Sequence, residues 1–152
     1  MVRGALAFVC MVLMALAAWG QSEHYPLISH ADLPLYPPLA RALNLTGTVK
    51  IQLVIAKGIV TDAQVKSVVI DCHNCAPLTD EGEKKVGKYL SLPSLANIKN
   101  WRFDSEENAT FVLEYVYRIQ GAETERAENP DVEVNLPLIS VTAKPIKPTV
   151  LY

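Results

Sequence analysis

The strongest structural signal in this chain is a strand pattern that reverses on itself between residues 48 and 70. Apolar and polar side chains alternate from residue 48, as they do in a strand that buries one side. The apolar face consists of Val49, Ile51, Leu53 and Ile55. Lys57 and Gly58 supply the reversal, since Gly tolerates the positive φ angles that tight hairpin turns need. The apolar face of the return strand consists of Ile59, Ala63, Val65 and Val69. The sequence therefore predicts a β-hairpin.

Two strands are not stable alone in water, so the hairpin needs a third strand and a cover for its apolar face. Residues 109–119 alternate again and predict that third strand. Residues 36–43 predict a short helix with prolines in its first turn. Residues 77–90 predict a weak helix that Thr79 caps, and a second helical piece follows the break at residues 91–93. Its apolar stripe consists of Leu92, Leu95, Ile98 and Trp101.

The order and spacing of these pieces resemble the TonB C-terminal domain family over about residues 33–121. The resemblance rests on Tyr36-Pro37-Pro38-Leu39-Ala40, on Gly47-Thr48-Val49, on the hairpin, and on Trp101-Arg102-Phe103 before an aromatic-rich strand. It implies an α+β fold, a three-stranded antiparallel sheet with helices on one face, to which we add a C-terminal extra strand. Two features depart from the family: the segment between the hairpin and Trp101 is longer, and the proline that often follows the Trp-Arg-Phe triplet is absent.

The first twenty residues are typical of a signal peptide. Arg3 is their only charge, residues 5–18 are uninterruptedly apolar, and small residues stand at the −3 and −1 positions before Gln21. As a helix, residues 4–19 would reach about 24 Å, short of the roughly 30 Å hydrocarbon core. We predict cleavage and a periplasmic location, with a membrane anchor as the alternative. A lead-in (21–34), a TonB C-terminal-like domain (35–121) and a C-terminal extension with an edge strand (122–152) follow.

Cys72 and Cys75 are the two cysteines that remain after cleavage, and an even count in an exported chain predicts a disulfide between them. A redox-active Cys-x-x-Cys pair is the alternative. A zinc site would need two more ligands. Haem attachment would need a histidine where the chain has Ala76. We therefore expect neither a metal nor a cofactor.

No residue pattern indicates catalysis. The chain has no glycine-rich phosphate loop, no Gly-x-Ser-x-Gly elbow and no His-Glu-x-x-His helix. Its formal net charge of −2 argues against a nucleic-acid partner. The sequence predicts that the protein is not an enzyme.

The family resemblance implies a binding function instead. TonB C-terminal domains take a short extended motif of outer-membrane transporters as an added strand beside the last family strand, here residues 109–119. The side chains that would then contact the partner are Val112, Glu114, Val116 and Arg118. We predict a periplasmic protein-binding domain that takes part in transport across the outer membrane. Its expected partner is a TonB-dependent transporter or another envelope protein, with membrane contact only through an uncleaved N-terminal segment.

Two other functions remain open at this point. One is a structural envelope domain that covers its own sheet edge, and the other is a thiol–disulfide protein built on the two cysteines. The alternation of residues 132–136 bears on the first, because these residues are expected to return antiparallel beside residues 109–119. We expect such a tail to be removable without unfolding, and to expose the binding edge when it is deleted.

Overall fold

The structure is a computed structural model that describes residues 24–72 and 76–147 of the 152-residue chain. Its elements, in chain order, are β1 (Leu27–His30), α1 (Pro38–Ala42), β2 (Leu45–Ala56), β3 (Ile59–Cys72), α2 (Asp80–Ile98), β4 (Arg102–Asp104), β5 (Ala109–Ile119), β6 (Asp131–Asn135) and β7 (Leu138–Ala143). The strands form one seven-stranded sheet in the order β1-β4-β3-β2-β5-β7-β6, curled into a half-barrel. Neighbouring strands are antiparallel except β5 and β7, which are parallel.

The predicted fold, a three-stranded antiparallel sheet with helices on one face and one extra strand, is wrong. The three predicted strands are β2, β3 and β5, but they form only the middle of a mixed sheet. On one side lie β4, with three residues, and β1, with four. Strands this short show too little alternation to be recognised in the sequence. On the other side, β7 joins β5 in parallel, and nothing local in the sequence specifies such a pairing.

The hairpin of β2 and β3 turns at Lys57 and Gly58, whose φ angles of 49° and 74° are both positive, as a two-residue type I′ turn requires. Beyond the turn, the register shifts twice, which leaves Thr61 and Lys66 as extra residues of β3. The bulge at Thr61 places Ala63 on the buried face, opposite Leu53, and the bulge at Lys66 then reverses the two faces of β3 once more. Val69, predicted on the buried face, is therefore 66% exposed, and its neighbours Val68 and Ile70 pack against the core instead.

The predicted break in the helical region at residues 91–93 does not occur. α2 is one helix of 19 residues that contains Pro93, and the hydroxyl of Thr79 caps it by accepting the Gly82 N–H at 3.2 Å. Its buried face consists of Gly87, Leu90, Ser91, Ser94 and Ile98. In the predicted stripe, Ile98 and Trp101 are fully buried, whereas Leu92 is exposed.

The core lies between the sheet and α2, and buried polar groups connect its layers. The hydroxyl groups of Tyr117 and Ser94 are 2.7 Å apart, and Ser94 is also bonded to the Leu90 carbonyl. Tyr115 donates to Asn97 Oδ1 at 2.9 Å, while Tyr36 donates to a carbonyl oxygen at the start of β2. These bonds join β5 to α2, and the residue before the α1 prolines to β2.

The three buried tyrosines predict a loss of stability at alkaline pH. Burial raises the pKa of Tyr117 to about 12, although its hydrogen bond to Ser94 opposes the rise, and burial also raises the pKa of Tyr36 and Tyr115. An unfolded tyrosine ionises near pH 10, so above that pH the unfolded chain releases protons that the folded chain retains. The free energy of unfolding should then fall by up to about 1.4 kcal/mol per pH unit for each tyrosine.

Urea unfolding from pH 8 to 11.5 measures this effect. We expect that the tyrosines do not change the free energy of unfolding below pH 10 and that they lower it above pH 10. The decline should be shallower for Tyr117→Phe. Equal declines in the wild type and the variant would contradict the assignment.

The C-terminal extension is an integral part of the fold. β7 pairs with residues 114–119 of β5, and β6 is the outermost strand, so the expected antiparallel return of residues 132–136 beside β5 is wrong. Ile139 and Val141 are fully buried. Arg41, which is 4% exposed, donates from Nε to the Lys144 carbonyl at 2.9 Å and from Nη1 to the Glu128 carbonyl at 2.7 Å. The extension is thereby fixed to α1 at one residue before β6 and at one residue after β7.

Candidate functional site

The predicted binding strand lies inside the sheet. β5 pairs with β2 from Ala109 to Tyr117, and β7 occupies its other side from Glu114 to Ile119. Glu114 is 3.5 Å from the Lys50 ammonium group, and Arg118 donates to the Ser140 hydroxyl at 3.1 Å. Val112 is 43% exposed and Val116 is half-buried. The proposed contact role of Val112, Glu114, Val116 and Arg118 stays a prediction, but a strand added at residues 114–119 would first have to displace β7.

A sheet edge that no described strand occupies lies on β3 instead. β3 pairs with β2 from Ile59 to Cys72. On its other side, within the described parts of the chain, β4 pairs only with Ile59. Residues 60–72 therefore present backbone N–H and C=O groups that no described strand bonds. Such an edge is a template for adding a further strand.

The path of the chain after β3 explains why this edge stays open. The chain enters α2, which runs back along β3 in the opposite direction: Glu83 lies by Cys72, and Lys99, just after the helix, lies by Val60. The chain returns to the sheet only at β4, beside the far end of β3. At the middle of this crossing a Cβ on Gly87 would lie 3.2 Å from Val68 Cγ1, so the absence of a side chain lets the helix approach the strand.

A cleft of about 880 Å³ remains between α2 and the open edge, and we call it the α2–β3 cleft. Its lining consists of Val68, Val69, Ile70, Asp80, Glu83, Lys84, Gly87, Lys88 and Ser91. Lys84 and Lys88 are one helical turn apart, and neither forms an ion pair with any described residue. In contrast, Lys85 lies outside the cleft lining and pairs with Glu81 at 3.0 Å.

This arrangement suits the binding of an extended peptide. The edge of β3 supplies main-chain hydrogen bonds, and the cleft beside it supplies a place for alternate side chains. The sequence analysis missed this edge because the position of a strand within a sheet depends on all the other strands. The run of three apolar residues at Val68, Val69 and Ile70 is a local sign only that the alternation of β3 is broken there.

The described residues include only one of the two cysteines predicted to form a disulfide. Cys72 is disulfide-bonded, but Cys75 lies outside the described residues, so the pairing of Cys72 with Cys75 stays a prediction. The signal-peptide prediction falls on residues 1–20, which also lie outside them. Among the described residues, no helix is both long and apolar enough to cross a membrane.

Comparison with known proteins adds no identification. No protein-family model matches the chain, and no curated protein matches it. The resemblance to TonB C-terminal domains therefore stays a hypothesis.

Proposed function

We propose that this protein is an exported binding domain of the cell envelope that takes an extended segment of another protein as an added strand along β3. The observation that carries the proposal is the edge of residues 60–72, which no described strand occupies beyond Ile59. The partner we propose is a TonB-dependent outer-membrane transporter or another envelope protein met in the periplasm. Binding a transporter would give the domain a part in transport across the outer membrane.

Energetics favour β3 over β5 as the binding edge. Addition to β5 at residues 114–119 requires release of β7, whose Ile139 and Val141 are fully buried. Burial of each such side chain stabilises the fold by roughly 1.5–3 kcal/mol. Addition to β3 displaces no described strand. The bulges at Thr61 and Lys66 interrupt the regular edge, so we place the added strand on residues 67–72, next to the α2–β3 cleft.

The affinity expected from this site is modest. Each main-chain hydrogen bond contributes about 0.5–1.5 kcal/mol net, and ordering a flexible segment costs a comparable amount per residue. A segment that pairs with six residues therefore gains specificity and further affinity only from side chains. Transient association of this kind suits a partner that must be released after each encounter.

The test is site-specific photo-crosslinking in the native host. A benzoyl-phenylalanine in place of Val69 on β3 should crosslink an envelope protein, whereas the same group in place of Glu133, on the outermost strand β6, should not. Mass spectrometry then identifies the crosslinked segment. A synthetic peptide of that segment should slow amide exchange at residues 67–72. Crosslinks at Glu133 alone, or a peptide that leaves these amides unprotected, would contradict the proposal.

A structural envelope domain is the second candidate, and the sealing of β5 by β7 and β6 favours it. In that case the chain binds no transporter segment, and its own C-terminal extension covers the edge that the family uses. The same experiment distinguishes the two functions, because a purely structural domain gives no specific crosslink at Val69.

A further inference from the structure

We infer that the α2–β3 cleft selects the segment it binds, and that it favours an aliphatic residue next to an acidic one. This inference rests on the proposed strand addition at β3. Side chains of an added strand alternate between the two faces of the sheet. Those on the α2 side enter the cleft, whereas those on the other side lie beside Val69, which is exposed to solvent.

The floor of the cleft is apolar. Val68 and Ile70 lie on the α2 side of β3 and are only half-buried, because the helix covers them incompletely. Gly87 contributes no side chain above Val68. An aliphatic side chain of the added strand would fill this space and remove the remaining exposed surface of Val68 and Ile70 from water.

Acidic and basic side chains lie at opposite ends of the rim of the cleft. Glu83 lies beside Ile70 and Cys72, at the same end as Asp80 in the first turn of α2. Lys84 and Lys88 follow along the helix toward Val68, and neither has an ion pair with a described residue. A carboxylate on the added strand would be attracted at the Lys88 end and repelled at the Asp80 end. The acidic residue is therefore expected close to the aliphatic residue that sits over Val68.

A peptide selection tests the inference on the full chain. A phage-displayed library of random ten-residue peptides is selected against the protein, and the enriched sequences are compared. We expect peptides that slow amide exchange at residues 67–72 and that share an aliphatic residue with Asp or Glu one or two positions away. The double variant Lys84→Glu/Lys88→Glu should weaken the binding of these peptides by about tenfold, the effect of losing two exposed charge pairs.

Lys85→Glu is the matched control, since Lys85 is on the same helix but outside the cleft lining. It should change the affinity by less than about twofold, as expected for a charge that the peptide does not contact. The enriched peptides could protect β3 but show no acidic preference, or could lose as much affinity with Lys85→Glu as with the double variant. Either result would contradict the selectivity of the cleft but not strand addition at β3. If no enriched peptide protects residues 67–72, strand addition at β3 itself is contradicted.

Discussion

Deletion of residues 131–152 is expected to unfold the domain. The deletion removes β6 and β7, and with them the fully buried Ile139 and Val141. It opens the edge of β5 and removes the Lys144 carbonyl to which Arg41 donates a hydrogen bond. Nη2 of this buried guanidinium already has no described partner, so the deletion leaves a second nitrogen unpaired. Two such side chains account for roughly 3–6 kcal/mol, a large part of the 5–15 kcal/mol that stabilises a typical domain.

Circular dichroism and urea unfolding of the truncated chain measure the effect. A pair of neighbouring variants controls for nonspecific damage to the extension. Ile139→Ser should destabilise the full chain by several kcal/mol, whereas Leu138→Ser, at a position 39% exposed, should cost less than about 1 kcal/mol. A truncated chain that folds with near-native stability would show that β7 is a detachable strap, as the sequence pattern led us to expect.

Trp101→Ala is expected to destabilise the domain by about 3–5 kcal/mol, the usual cost of replacing a fully buried aromatic residue by alanine. Trp101 is completely buried between α2 and β4. Its indole N–H donates to the Asp32 carbonyl at 3.2 Å, where the side-chain amide of Asn97 also donates at 2.8 Å. The variant therefore leaves a cavity and releases one of two bonds that hold the lead-in.

Trp101→Phe separates the two contributions, since it keeps most of the volume and removes the donor. We expect it to cost about 1–3 kcal/mol, from the lost bond and the smaller ring together. Denaturant titration of both variants gives the two free energies. Equal and small losses for alanine and phenylalanine would contradict the central packing role of this tryptophan.

The parts of the fold that could be predicted are those with strong local signals. The turn at Lys57 and Gly58 was recognised because glycine accepts positive φ angles. The buried face of β2 was recognised from the strict alternation of its apolar residues. The Thr79 cap was recognised from its hydroxyl before three acidic residues. Each of these depends on residues that are close together in the chain.

The parts that could not be predicted depend on contacts distant in sequence. Pro93 is a helix breaker on average, yet α2 continues through it while Ser94 and Ile98 pack into the core on the same face. The pairing of β7 with β5 is parallel and follows a long connection, so no turn residue specifies it. Alternation did not predict the bulge at Lys66, which places Val68 and not Val69 on the same face as Ala63.

The candidate site illustrates the same limit. Residues 109–119 were correctly expected to form a strand, but whether a strand is central or at an edge depends on every other strand of the sheet. The order β4-β3-β2-β5-β7 leaves most of β3 without a second partner among the described strands, and it pairs the second half of β5 with β7. The binding mode could therefore be proposed from the sequence, whereas its place on the molecule required the structure.

Amide hydrogen exchange of the free protein, read residue by residue by NMR, is the most direct test of the open edge on β3. In an antiparallel pair, residues alternate between those bonded to the partner strand and those whose N–H points away. We predict that alternate amides of residues 60–72 exchange rapidly, while both sets of amides in residues 114–117 exchange slowly because β2 and β7 bond them from either side. Slow exchange of every amide along β3 would show that the edge is already covered, and would contradict its role as the binding site.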